Sequence, residues 1–124
     1  MERLRVLLVD DEEELVSTMV ERLRLRDIEA DAETDGYRAL DRVMASDYDV
    51  VLVDVKMPGL GGMELLGEIR KERPDVPVIL LTGHTAEQEG VEGMRIGAFD
   101  YLMKPINIDD LILRMRDAAG RRQG

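Results

Sequence analysis

The chain has 124 residues, 44% apolar and 35% charged, the balance of one soluble globular domain rather than a disordered chain. The 17 basic residues against 27 acidic ones leave a net charge of −10, which argues against a surface built to grip nucleic-acid phosphates. Cysteine is absent, so disulfides and thiol chemistry are excluded as well.

The opening Met1-Glu2-Arg3-Leu4-Arg5 has no signal-peptide organisation and runs directly into an apolar strand, residues 4–9. A helix follows, with Leu15, Val16, Met19, Val20 and Leu23 at helical spacing on one stripe. Ile28, Ala30 and Ala32 alternate with polar residues, the pattern of a short, half-exposed edge strand. The second helix, near Gly36–Ala45, is expected to bury Ala39, Leu40, Val43 and Met44. Residues 50–53 are apolar throughout, as a strand covered on both faces must be.

Pro58-Gly59 and Gly61-Gly62 then break the chain before a third helix carrying Met63, Leu65, Leu66 and Ile69. The fourth strand is residues 78–81. The fourth helix, residues 86–96, is polar and holds Gly90 and Gly93, with Val91, Met94 and Ile96 as its apolar anchors. The fifth strand is 99–102, and the last helix, 108–119, buries Ile108, Leu111, Ile112 and Met115. Arg114, Arg116, Arg121 and Arg122 are read as cations favoured near a helix C-terminus. Strand and helix alternate five times. This predicts a doubly wound α/β fold of the flavodoxin-like (βα)5 kind, a parallel sheet in the order 2-1-3-4-5. No apolar run is long enough to cross a bilayer, and a cytoplasmic location is expected.

The chemistry-bearing residues stand at the carboxyl ends of those strands. Asp10 and Asp11 follow the first, Asp54 the third and Thr82 the fourth, and Lys104 comes just past the fifth. Ligands of an open parallel sheet bind outside the carboxyl ends of its strands, so one crevice can gather all five. An aspartate carboxylate is a competent nucleophile toward phosphorus. Its obstacle is the negative charge of the phosphoryl group, which a divalent cation held by carboxylates and waters removes. Asp11 is the first choice for a direct metal ligand, with Asp10 direct or through water and Asp54 supplying a further oxygen. Lys104 offers a cation to one phosphoryl oxygen and Thr82 a hydroxyl to another, contacts that exist only once the group is in place.

Asp10-Asp11, Asp54-Val55-Lys56-Met57-Pro58-Gly59 with Gly62, Thr82-Gly83 and Lys104-Pro105 together resemble the receiver domain of two-component response regulators. The resemblance covers essentially the whole chain and assigns residues 1–120 to the domain, leaving 121–124 as a tail or the start of a linker. It implies that Asp54 accepts a phosphoryl group from a histidine kinase or phosphotransfer domain. Mg2+, or Mn2+ in its place, would sit on Asp10, Asp11, Asp54 and the backbone carbonyl of Lys56. It also implies a cis Lys104-Pro105 bond, and a switch in which Thr82 and Tyr101 shift. The face formed by the fourth helix, fifth strand and fifth helix would then change toward an output domain in cis, a partner in trans, or a second copy. His84 and Lys56 would flank the phosphoryl site and tune its hydrolysis. Ile106 departs from the common pattern, where phenylalanine often stands, and leaves open how the last strand and helix pack. On this reading the chain is a switch with limited self-phosphorylation and dephosphorylation, not a turnover enzyme, and contacts neither nucleic acid nor membrane itself. The alternative is a haloacid-dehalogenase-like phosphohydrolase with Asp10 as nucleophile, although Glu12 stands where that chemistry needs an aspartate.

Overall fold

The structure, a computed structural model, describes residues 3–83 and 87–121. Five strands and five helices alternate: β1 (Arg5–Val9), α1 (Glu13–Leu25), β2 (Glu29–Glu33), α2 (Gly36–Ala45), β3 (Val50–Asp54), α3 (Gly62–Glu72), β4 (Val78–Thr82), α4 (Glu87–Ile96), β5 (Asp100–Met103) and α5 (Ile108–Arg121). The sheet is parallel throughout and ordered β2-β1-β3-β4-β5, as predicted. His84 and residue 86, the expected start of the fourth helix, lie outside the described residues, as do residues 122–124. The last helix reaches Arg121, one residue into the stretch read as a tail.

Side chains alternate across a strand, so each central strand feeds two cores. Val6, Leu8, Leu52, Ile79 and Leu81 meet Val16, Val20 and Leu23 of α1 and Leu111 and Met115 of α5 on one face. Leu7, Val9, Val51, Val53 and Leu80 meet Ala39 and Val43 of α2 and Leu65, Leu66 and Ile69 of α3 on the other. Ile106 packs against the first core, which answers the question its departure raised. Edge strand β2 is half-exposed as expected. Its terminal Glu33 is nonetheless buried, held by Arg42 at 3.0 Å and Arg38 at 3.3 Å. Leu15 and Met44, assigned to buried stripes, are exposed, because they sit at the margins of helices that present only a narrow face inward.

The largest correction concerns α4. Val91 and Met94, read as its anchors, are 59% and 42% exposed, and the residues it buries are Gly90 and Gly93. A Cβ on Gly93 would collide with Cδ1 of Leu80, and one on Gly90 would lie 2.6 Å from Cγ of Tyr101. At these two points the helix lies so close to the Leu80 and Tyr101 side chains that not even a Cβ fits. Two of the three expected anchors, Val91 and Met94, therefore point away from the packed face, while Ile96 packs against the second core as expected.

Two other tight approaches hold the turn after β3. Gly62 donates its N–H to the Val55 carbonyl at 3.1 Å, and a Cβ there would collide with the Asp54 carbonyl oxygen and lie 2.6 Å from Val55 Cα. Both neighbours are backbone and cannot yield locally. Gly62→Ala is expected to destabilise the domain by about 2 kcal/mol or more, the cost of forced overpacking. A thermal melt superimposable on that of the parent would contradict the close approach.

Candidate functional site

Asp54 and Thr82 are the last residues of their strands rather than the first of the following loops, so the sheet ladder itself places them. Asp54 stands opposite Leu81, and the next amide, Val55 N–H, donates to the Leu81 carbonyl at 3.0 Å. Asp10 follows β1 directly. Its N–H donates to the Glu33 carbonyl at 3.1 Å, and its Oδ1 accepts the Glu12 N–H at 3.0 Å, at the mouth of α1. The acids Glu13 and Glu14 in the first turn of α1 suit the positive end of the helix dipole. Lys104 is tied to β4 by its own N–H, which donates to the Thr82 carbonyl at 2.9 Å, and its bond to Pro105 is cis.

These elements converge as the strand-end argument requires. Carboxylate oxygens of Asp10, Asp11 and Asp54 lie within 4.8 Å of one another, and Lys104 Nζ stands 3.3 Å from Asp10 Oδ2 and 3.3 Å from Asp54 Oδ1. Asp10 and Asp54 are buried and Asp11 is exposed, so the cluster opens to solvent on one side only. Burial, followed by the charge of Asp10, pushes the Asp54 carboxyl up from 3.8 to about 6, against the pull of Lys104. Burial draws the Lys104 ammonium down, but Asp10 and Asp54 together outweigh it and raise the pKa. One cation facing two buried anions and a third beside them leaves excess negative charge. That surplus, on hard oxygen donors, fits a divalent cation.

Three other expected residues are placed by surroundings of their own. The Thr82 hydroxyl, fully buried, donates to the Leu102 carbonyl at 3.4 Å and so faces β5. Tyr101 is half-buried against the second core, its ring on Gly90. The Lys56 side chain is exposed in the loop leaving β3. The sequence reading passed over the Leu102 carbonyl, a backbone group that carries no residue signature. It also passed over the seat that Gly90 makes for Tyr101, for which a buried-spacing glycine was the only sign.

The family model for the response regulator receiver domain matches residues 6–116. The chain belongs to that family. It is 38% identical over 124 residues to the uncharacterized transcriptional regulatory protein YkoG of Bacillus subtilis (strain 168), covering 100% of this chain and 54% of that one. It is 37% identical to the transcriptional regulatory protein TcrA of Mycobacterium tuberculosis over 95% of this chain and 46% of the relative. The chain thus spans about half the length of these curated relatives. Among solved structures, the receiver domain of Francisella response regulator 1452 superposes with a TM-score of 0.89 at 33% identity, covering 96% of this chain and 98% of that one. A receiver domain protein from Clostridium thermocellum gives 0.91 at 33% identity, over 97% of both chains.

As a receiver domain the chain is a signalling switch of two-component systems, and the phosphohydrolase alternative finds no support. Among the described residues, no helix is long and apolar enough to cross a membrane.

Proposed function

We propose that Asp54 is the phosphoacceptor of this receiver domain. The observation that carries the reading is the Lys104 ammonium held 3.3 Å from both Asp54 and Asp10, beside Asp11. The donor is a phosphohistidine of a histidine kinase or phosphotransfer domain. An Asp54 oxygen attacks phosphorus, the P–N bond breaks, and the imidazole nitrogen keeps the electron pair and takes up a proton. Asp10, Asp11, Asp54 and the Lys56 carbonyl would hold Mg2+, or Mn2+ in its place. When bound, such a cation neutralises charge on the phosphoryl oxygens. Lys104 then exchanges part of its carboxylate pairing for a phosphoryl oxygen. Thr82 turns its hydroxyl from the Leu102 carbonyl toward another.

That turn releases β5 beside Tyr101, which relays the change to the face made by α4, β5 and α5. Val91, Met94, Met103 and Leu113 expose apolar surface on these elements, which supports an interaction surface there. Because the relatives are transcriptional regulators about twice as long, the partner proposed for it is an output domain in cis, with a second copy as the dimeric form.

The intact mass after incubation with acetyl phosphate and Mg2+ tests the acceptor, with Asp54→Asn beside it. One labile phosphoryl group is expected, absent without metal and absent in the variant. Gel filtration of the same samples checks the second copy, and a monomer before and after modification would remove that part.

A further inference from the structure

We infer that Gly90 is a positioning residue, the absent side chain that sets the Tyr101 ring and through it the stance of α4 on β5. This rests on the proposed acceptor role of Asp54. A Cβ at residue 90 would meet three atoms of the Tyr101 ring, with Cγ at 2.6 Å, and nothing nearer competes. The ring is the rigid part of that side chain and has no slack at Cγ, so it cannot bend aside as the tip of a long chain would. It must rotate out or carry the helix away. The other buried contact of α4, Gly93 on Leu80, falls on the terminal methyl of a leucine buried in the second core, away from β5.

A direct path joins this seat to the acceptor site. Lys104 N–H is held by the Thr82 carbonyl, and the Thr82 hydroxyl holds the carbonyl of Leu102, the residue that follows Tyr101. A group at Asp54 that redirects Thr82 therefore acts on the same stretch of β5 that carries the ring. Two influences on one element are coupled, and the coupling is reciprocal. Residue 90 accordingly tunes the affinity of the acceptor site from the far side of β5.

The test is a cycle of Gly90→Ala and Tyr101→Ala, alone and together, with two readouts. In thermal melts Gly90→Ala is expected to lower Tm while Tyr101 is present. It should raise Tm in the Tyr101→Ala background, where only the higher helix propensity of alanine remains. In titrations with beryllofluoride and Mg2+, Gly90→Ala is expected to change the apparent affinity by about fivefold or more with Tyr101 present, and by less than about twofold without it. A rise in Tm in both backgrounds, or an affinity that Gly90→Ala leaves unchanged in both, overturns the inference while the acceptor reading stands. Failure of the parent chain to bind beryllofluoride at all removes the acceptor reading and this inference with it.

Discussion

Asp54→Asn is expected to make the metal-free domain more stable above pH 6. The parent carboxyl ionises at about 6 in the fold against 3.8 ordinarily, because burial and Asp10 disfavour its charge. As pH rises the unfolded chain sheds this proton first. The contribution of this group to stability is therefore fullest below about pH 4, falls between there and about 6, and stays low beyond. Asparagine keeps the shape and never acquires the charge. In chelator-treated protein at pH 8 the variant should gain about 1–3 kcal/mol, several degrees in Tm, and at pH 3.5 the difference should close. Added Mg2+ should narrow the gap by stabilising the parent, since a ligand that binds only the folded state raises its stability. A variant less stable than the parent at both pH values would show that the charge on Asp54 is well accommodated without metal.

Lys104→Met is expected to have the opposite sign and a larger size. Among the described residues its ammonium is the one cation drawn within 4 Å of Asp10 and Asp54, at 3.3 Å from each, and methionine retains the packing of its stem without the charge. Removing one partner from a buried ionic cluster leaves anions uncompensated, at a cost of about 3–5 kcal/mol. The cost is moderated because Asp54, already raised to about 6, escapes by taking up a proton. The variant should therefore lose most stability at pH 8 and least near pH 5. In the parent, the Lys104 contribution is present below the ordinary lysine pKa of 10.5 and is lost as pH rises through its raised value. Combining Lys104→Met with Asp54→Asn should recover much of the loss. Equal melts for parent and Lys104→Met at pH 8 would mean that the ammonium is not what holds the two acids together. The intact-mass assay of the same variant should show phosphoryl gain slowed by about tenfold or more, since a fixed charge at the reacting group is withdrawn.

Much of the site was legible because strand-end position is a one-dimensional property. Residues 50–53 and 78–81 can only be buried strands, so Asp54 and Thr82 had to emerge at the same edge as Asp10 and Lys104. Edge strand β2 was legible for a similar reason, the alternation of Ile28, Ala30 and Ala32. The direction of the Thr82 hydroxyl was not legible, because its acceptor, the Leu102 carbonyl, lies on a neighbouring strand that only folding brings within reach. Nor was the burial of Tyr48, whose hydroxyl donates to Asp31 at 2.8 Å across a gap in the chain that no local pattern spans.

The order of residues alone determined the architecture and the roster of the site: which strands are covered on both faces, and which side chains stand at their ends. Only the tertiary structure decided how α4 lies. Periodicity reads apolar side chains as the inward face of a helix, and Val91 and Met94 obeyed that pattern while facing solvent. The controlling quantity was the room that the Leu80 and Tyr101 side chains take up against the helix, which glycine leaves free. A missing side chain has no hydropathy to read until the Tyr101 ring and Leu80 are seen filling its place.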